Sequence, residues 1–503
     1  DVTAPGDPCS FALCDPVKVS GVAPKDQKYP LVISAAFKNT LSPARWNALK
    51  RRFFRLHFQY LCAFDRPGPY DYFQITAGGH TLRTRFATHM PSPSRIDIPA
   101  NKYTDMAPDM IPPKPMPRPE KTSLRQYVKL FRKDILSAQP AKLYRAWMAE
   151  YKTPFFRSFL VNQPSLVKRV LNDEPMNFPK SARIAEGLRP LLGHSVFLTN
   201  GETWLRQRRI IDPAFEGGRL KDTFPAMLAA GQGMVERLRS QHGAFDIEPH
   251  ASHAAADVIF RTLFSIPITH HVARDVFDEF QAYQRAQPIL NIAAFVPLPK
   301  WMPRFHRKHT RKGAKAIRRL ITDLTAARQT EIAAGTAPDD LATKIMTTTD
   351  PVTGQGFDTS EMVDQVAIFF LAGHETSASA LAWALWLLAA NPQVQDRVAA
   401  EGTAFGDQPS FSDLSKLRYT KDVFRETLRL YPPVPMMVRE AKCPVQFRER
   451  QVPKGAQIVL SPWHLGRHER FWDRPDAFDP DRFKTENGKQ CLRDAFIPFS
   501  SGP

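Results

Sequence analysis

The chain has 503 residues, 43% of them hydrophobic and 24% charged, which is ordinary globular composition with apolar mass for a large core. Its formal net charge is +19, a balance that suits nucleic acid, an anionic membrane face or an acidic protein. No nucleic-acid motif and no long Lys/Arg run accompanies that charge, which leaves an acidic partner or plain solvation.

Residues 1 to 115 differ from the rest. They are rich in proline, begin with Asp1 and contain no methionine before Met90. No basic segment followed by an apolar one opens the chain, so no signal peptide is read. The five cysteines (Cys9, Cys14, Cys62, Cys443 and Cys491) are sparse, and no pair has zinc-ligand spacing, which points to a reducing compartment and a cytoplasmic, soluble protein. "RWNALKRRFFRLHFQYL" (45–61) is basic and amphipathic. It reads either as a membrane-surface helix, giving peripheral association, or as part of an extension translated upstream of a true start at Met106 or Met110; the second reading is adopted. A stiff proline-rich stretch, "IPPKPMPRP" (111–119), then leads into the main domain, taken as residues 116–503.

From there the pattern is mostly helical. "SLRQYVKLFRKDILS" (123–137) and "SLVKRVLND" (165–173) space their apolar residues as helices do. Strand-like pieces are short: 154–161, 443–453 and 456–462. The expected fold is mainly α with small β-sheets.

The longest helical run, Glu361 to Ala390, is apolar nearly all round. It suits a membrane span or a helix through the middle of a large protein. Glu375 at its centre would cost about 2.5–3.5 kcal/mol in a bilayer, and no second span exists, so the buried helix is the reading. Gly373 costs about 1 kcal/mol against alanine in a helix interior. Beside Ala372 it marks either a close packing site or room for something flat, next to an acid, Glu375, and a hydroxyl, Thr376. That hydroxyl can also bond back to a carbonyl and bend the helix.

"FRETLRLYPPVP" (424–435) places Glu426 and Arg429 on one helix face and stops at Pro432-Pro433. The pair is either solvated or buried and joined by another arginine. Arg482, in the aromatic loop "FWDRPDAFDPDRF" (471–483), is the candidate third member.

"AGHET" (372–376), "ETLR" (426–429), "FDPDRF" (478–483) and "PFSSGP" (498–503) occur in order, with "NGETWLRQRRIIDPAF" (200–215) upstream. Together these motifs resemble the cytochrome P450 family, over roughly residues 115 to 503. The resemblance implies the P450 fold, an α-rich domain plus a smaller β-containing region, and haem b (iron protoporphyrin IX) as cofactor. In the family a cysteine thiolate ligates the iron and favours O–O cleavage. Alignment on Phe499 and Gly502 puts that cysteine about three positions past Pro503, so no metal ligand is expected within the sequence and the fold is expected to be incomplete at its C-terminus. Cys443 and Cys491 lie outside the ligand pattern.

The resemblance further implies roles. Thr376 and Glu375 would deliver protons to dioxygen, and Ala372 and Gly373 would leave space over the iron. Trp204, Arg208 and Arg439 would meet the haem propionates, with weaker candidates in Arg467 and His468. Phe499 would pack against the haem. Glu426, Arg429 and Arg482 would be structural. Phe197, Phe370, Val434, Met436 and Met437 would contact an apolar substrate. The implied activity is a monooxygenase using O2 and electrons from NAD(P)H through a ferredoxin or similar protein, with Arg206 and Arg209 suited to an acidic partner. Two alternatives stay open: peroxide-driven or rearrangement chemistry on the same fold, and a non-catalytic chain lacking its thiolate.

Overall fold

The computed structural model describes four strands before residue 100, and then residues 110–152, 156–216, 218–286, 308–405 and 409–502. The amphipathic stretch 45–61 and the three N-terminal cysteines lie outside the described residues. Two compact units result, one of residues 1–108 with 112–139, the other of 109–111 with 140–503.

The first unit holds β1 (Lys18–Val22), β2 (Leu31–Ile33), β3 (Asp71–Ala77) and β4 (His80–Phe86) in the sheet order β1-β3-β4-β2. Sequence reading found none of these strands. The signal was a pair of β-branched and aromatic runs around Gly78-Gly79, and Ala77 indeed pairs with His80 in an antiparallel register. Helix α1 (Leu124–Lys133) belongs to the same unit, and the Ser123 side chain caps it by accepting from the Gln126 amide.

The second unit is helix-dominated. Its helices include α2 (Ala182–Leu192), α3 (Gly201–Ile211), α4 (Arg219–Arg239), α5 (Glu248–Phe264), α6 (His271–Ala286), α7 (Lys308–Ala333), α8 (Thr359–Ala389), α9 (Pro392–Thr403), α10 (Arg418–Leu430), α11 (Pro462–Gly466) and α12 (Glu486–Asp494), with two further short helices at Pro164–Lys168 and Leu341–Thr347. Its larger sheet runs β5 (Met148–Lys152), β6 (Arg157–Val161), β10 (Gln457–Leu460), β7 (Met437–Glu440), with β6 and β10 parallel. Strands β8 (Val445–Phe447) and β9 (Arg450–Val452) form a separate hairpin.

Helix α8 spans roughly 46 Å at 1.5 Å per residue. A reciprocal capping box starts it: Asp358 accepts from the Glu361 amide and Glu361 accepts from the Asp358 amide. Its apolar faces enter a core shared with α2, α5, α6 and α7, built on Phe260, Phe264, Ile317, Val366 and Phe370. Among the described residues no helix is long and apolar enough to cross a membrane. A second core lies beneath the sheet around Phe159, Phe178, Phe447 and Ile458.

Candidate functional site

The Glu426–Arg429–Arg482 group forms as the sequence suggested. Glu426 has no exposed surface, and Arg429 grips it with Nε and Nη2, both 2.7 Å from its carboxylate. Arg482 Nε donates to the same carboxylate at 2.9 Å, as does the Asp479 amide. The remaining guanidinium protons go to the carbonyls of Gly466, Pro475, Ala477 and Asp473. Both arginines lie over the Trp472 ring. Every charge is paired and nearly every donor satisfied, the condition under which a buried ion network is tolerated. It ties the end of α10 to the aromatic loop.

Arg467 serves elsewhere. It is buried between the Trp463 ring, 3.7 Å away, and Tyr431, and it donates to the Leu430 carbonyl at the end of α10. Its expected assistance to the propionates is corrected to a cap on that helix. His468 stacks on Trp147 at 5.4 Å, and burial lowers its pKa to about 4.

The middle of α8 divides its residues between two surroundings. Gly373 faces α5: a Cβ there would lie 2.3 Å from Ile259 Cδ1, so the glycine lets the two helices cross closely. The expected free space is therefore not at Gly373; Ala372 is the exposed member of the pair. His374 is buried and hydrogen-bonded to Ser252 at 2.7 Å, and burial holds its pKa down at about 4. Phe370 is a correction. It is 3% exposed and stacks among Phe260, Phe264 and Phe280, so it is core and faces no open site. An all-apolar helix does not announce which apolar side faces inward.

Glu375 is exposed and Thr376 partly so. The Thr376 hydroxyl donates to the Ala372 carbonyl at 2.6 Å, the back-bond expected of it. Glu375 keeps exposed surface, yet protein crowds it, and the resulting desolvation raises its carboxyl pKa. Gln284 of α6 donates to it at 3.1 Å and partly offsets that rise. A carboxyl raised in this way holds a proton more readily than a solvated one, which suits a proton-relay role.

The propionate candidates converge, with a residue the sequence did not flag. The Arg208 guanidinium lies 5.5 Å from the Trp204 ring, and Lys180 Nζ lies 5.3 Å from the same ring. Arg439 in β7 pairs by backbone with Lys180, which brings the two cations to one edge. Burial, with Arg439 and Arg208 beside it, pushes the Lys180 pKa down to about 7. Burial also lowers that of Arg439. Arg208 has an acid of its own, Asp212, 2.6 Å away. Among the described residues no carboxylate pairs with Lys180 or Arg439. A group carrying two carboxylates fits this surplus of charge, and iron protoporphyrin IX is such a group.

Neither described cysteine is built as its axial thiolate. The Cys491 thiol is buried, donates to the Phe471 carbonyl and has its pKa pushed up to about 11; Cys443 is exposed. Phe499 is 75% exposed at the chain's end. Gly502 there takes φ +104°, and a Cβ would sit 2.2 Å from the Leu171 carbonyl oxygen. Phe197 and Val434 are exposed at 50% and 41%, and Met436 and Met437 are half-buried. The expectation for Arg206 and Arg209 is also corrected. Arg206 pairs with Glu361 at 2.6 Å, and Arg209 with Asp350 at 2.5 Å and Glu202 at 3.0 Å. They fasten α3 to the start of α8 and the segment before it instead of facing a partner.

Comparison with known proteins places this geometry. The family model for cytochrome P450 matches residues 112–503. The chain is 33% identical over 361 residues to cyclooctat-9-en-7-ol 5-monooxygenase of Streptomyces melanosporofaciens, covering 69% of this chain and 74% of that protein. It is 28% identical to a cytokinin hydroxylase of Arabidopsis thaliana, covering 72% and 73%. The structure of retinoic acid-bound cyanobacterial CYP120A1 superposes with a TM-score of 0.61 at 21% identity, over 71% of this chain and 79% of that one, a likeness of fold.

Proposed function

The chain belongs to the cytochrome P450 family, and from that premise we propose a haem b monooxygenase that inserts one oxygen atom of O2 into an apolar organic substrate. The other oxygen atom leaves as water, and the overall reaction consumes two electrons and two protons. When bound, the haem supplies the chemistry of O2 activation.

Lys180, Arg208 and Arg439, with Trp204, hold its carboxylates by charge. Glu375 holds a proton at its raised carboxyl and hands it inward, and Gln284 fixes the carboxyl's direction. Thr376 offers its hydroxyl oxygen as an acceptor while its proton is committed to Ala372. The observation that carries the reading is this acid and alcohol on consecutive residues of α8 (Glu375, Thr376), beside the exposed Ala372. Phe197, Val434, Met436 and Met437 are the proposed substrate contacts, and their apolar character is the basis for an apolar substrate.

Electrons are proposed to come from NAD(P)H through redox partner proteins. The net charge of +19 favours an acidic carrier such as a ferredoxin. The sparse cysteines favour a cytoplasmic location. Residues 1–115 are proposed as an extension outside the catalytic domain.

The test uses the protein as its gene encodes it, with haem. Product from an apolar substrate panel should require both NAD(P)H and a reductase system, and Thr376→Ala should divert electrons to hydrogen peroxide. Product formed without any electron donor would overturn the monooxygenase reading.

A further inference from the structure

We propose that Lys180 couples the loop carrying Phe197 to the carboxylates of the bound porphyrin, so that seating the cofactor also fixes a wall of the substrate site. The inference rests on the reading that the cation cluster receives those carboxylates.

The loop 194–199 is held mainly through its backbone. Asp364 and Gln365 of α8 accept from the amides of His194 and Val196, at 2.6 and 2.9 Å. Gln207 of α3 donates to the His194 carbonyl at 2.7 Å. The remaining carbonyls on either side of Phe197 go to Lys180, whose Nζ donates to Val196 at 2.6 Å and to Thr199 at 3.1 Å. Asn200 fastens the Lys180 backbone from both sides, accepting from its amide and donating to its carbonyl. Phe197 projects from this frame half-exposed.

An ammonium has three N–H donors. Two are spent on the loop, which leaves one donor and the whole charge facing the side of Trp204. The charged groups that face Lys180 there are Arg439 from β7 and Arg208 from α3, and both repel it. Without an anion the protonated form is disfavoured, and the two carbonyls lose the charge-assisted part of their bonds. An anion among the three cations reverses both effects. By linkage, whatever the porphyrin gains from a protonated Lys180, the loop gains from the porphyrin.

The test is amide hydrogen exchange at Leu198 and Thr199, whose amides both bond to the Ser195 carbonyl in the loop's turn. The probe is metal-free protoporphyrin IX, which brings the carboxylates without iron. Binding is followed separately through Trp204 fluorescence. At about pH 8 the porphyrin should slow exchange at both amides by about tenfold in the wild type. Lys180→Met should bind porphyrin more weakly and, at saturating porphyrin, show no slowing, and Lys180→Arg should recover part of it. Equal slowing in Lys180→Met overturns the coupling and leaves the porphyrin site standing. Failure of the wild type to bind porphyrin overturns the site reading itself, and the coupling with it. Should Lys180→Met neither fold nor bind, the wild type alone decides. In the wild type, bound porphyrin that leaves exchange at both amides unchanged overturns the coupling.

Discussion

Lys180 is the ionisable group whose disturbance bears most on stability. Unfolded, it binds its proton up to its ordinary pKa of 10.5; folded without an anion, it sheds it by about 7. Between those values the unfolded chain binds more protons, so this residue makes stability rise with pH from about 7 to 10.5, and its full penalty is present below 7. Urea denaturation of the cofactor-free protein should show that rise, and Lys180→Met should flatten it; an unchanged slope would mean that the ammonium is not desolvated. Glu426 is the opposite case, a carboxylate whose charge is satisfied from every side. Glu426→Gln leaves Arg429 and Arg482 buried without their counter-charge and should cost about 3–5 kcal/mol in denaturation experiments. The E-x-x-R spacing made that network legible. Lys180 was not, because its surroundings are assembled from three separate segments and no local pattern marks a lysine that β7 and α3 will enclose. Arg206 and Arg209 misled for a related reason. As a run they look like a solvated basic face, and their partners Glu361 and Asp350 lie 155 and 141 residues away.

At the scale of elements, α8 and α5 decide where the open side of the site falls. Their crossing depends on a missing Cβ at Gly373, filled by Ile259. Gly373→Ala gains about 1 kcal/mol of helix propensity but overpacks at about 1–3 kcal/mol, so a net loss of about 1 kcal/mol is expected. Ile259→Val, which removes the Cδ1 in contact, should recover it. Thermal denaturation of the two single variants and the double variant tests this; strict additivity would show that the two side chains do not meet. The length of α8, its acidic centre and its stop at Asn391-Pro392 were readable from the sequence. Its rotation was not, since an element apolar on every side carries no phase to set against the resemblance that implied Phe370 as a substrate contact. Strand β6 and the β8–β9 hairpin lay within the short runs expected, whereas β5 and the four N-terminal strands passed unnoticed. The Gly78-Gly79 pair in the sequence was the missed signal.

For the whole molecule, the family match beginning at residue 112 fits the proposal that the cofactor site needs nothing before it. A chain starting at residue 112 should bind protoporphyrin IX within about threefold of the 503-residue chain; loss of binding would make the N-terminal residues part of the domain. The order of motifs identified the family's fold before any geometry was known, while the balance of charge around the cofactor emerged only from tertiary structure. That balance is the centre of the account: an excess of half-buried positive charge at Lys180 and Arg439 that two carboxylates are proposed to neutralise. The most direct measurement compares metal-free protoporphyrin IX with its dimethyl ester, which has the same ring and no charge. The free acid should bind at least about a hundredfold more tightly, equivalent to about 2.7 kcal/mol. Equal affinity for the two would contradict the account.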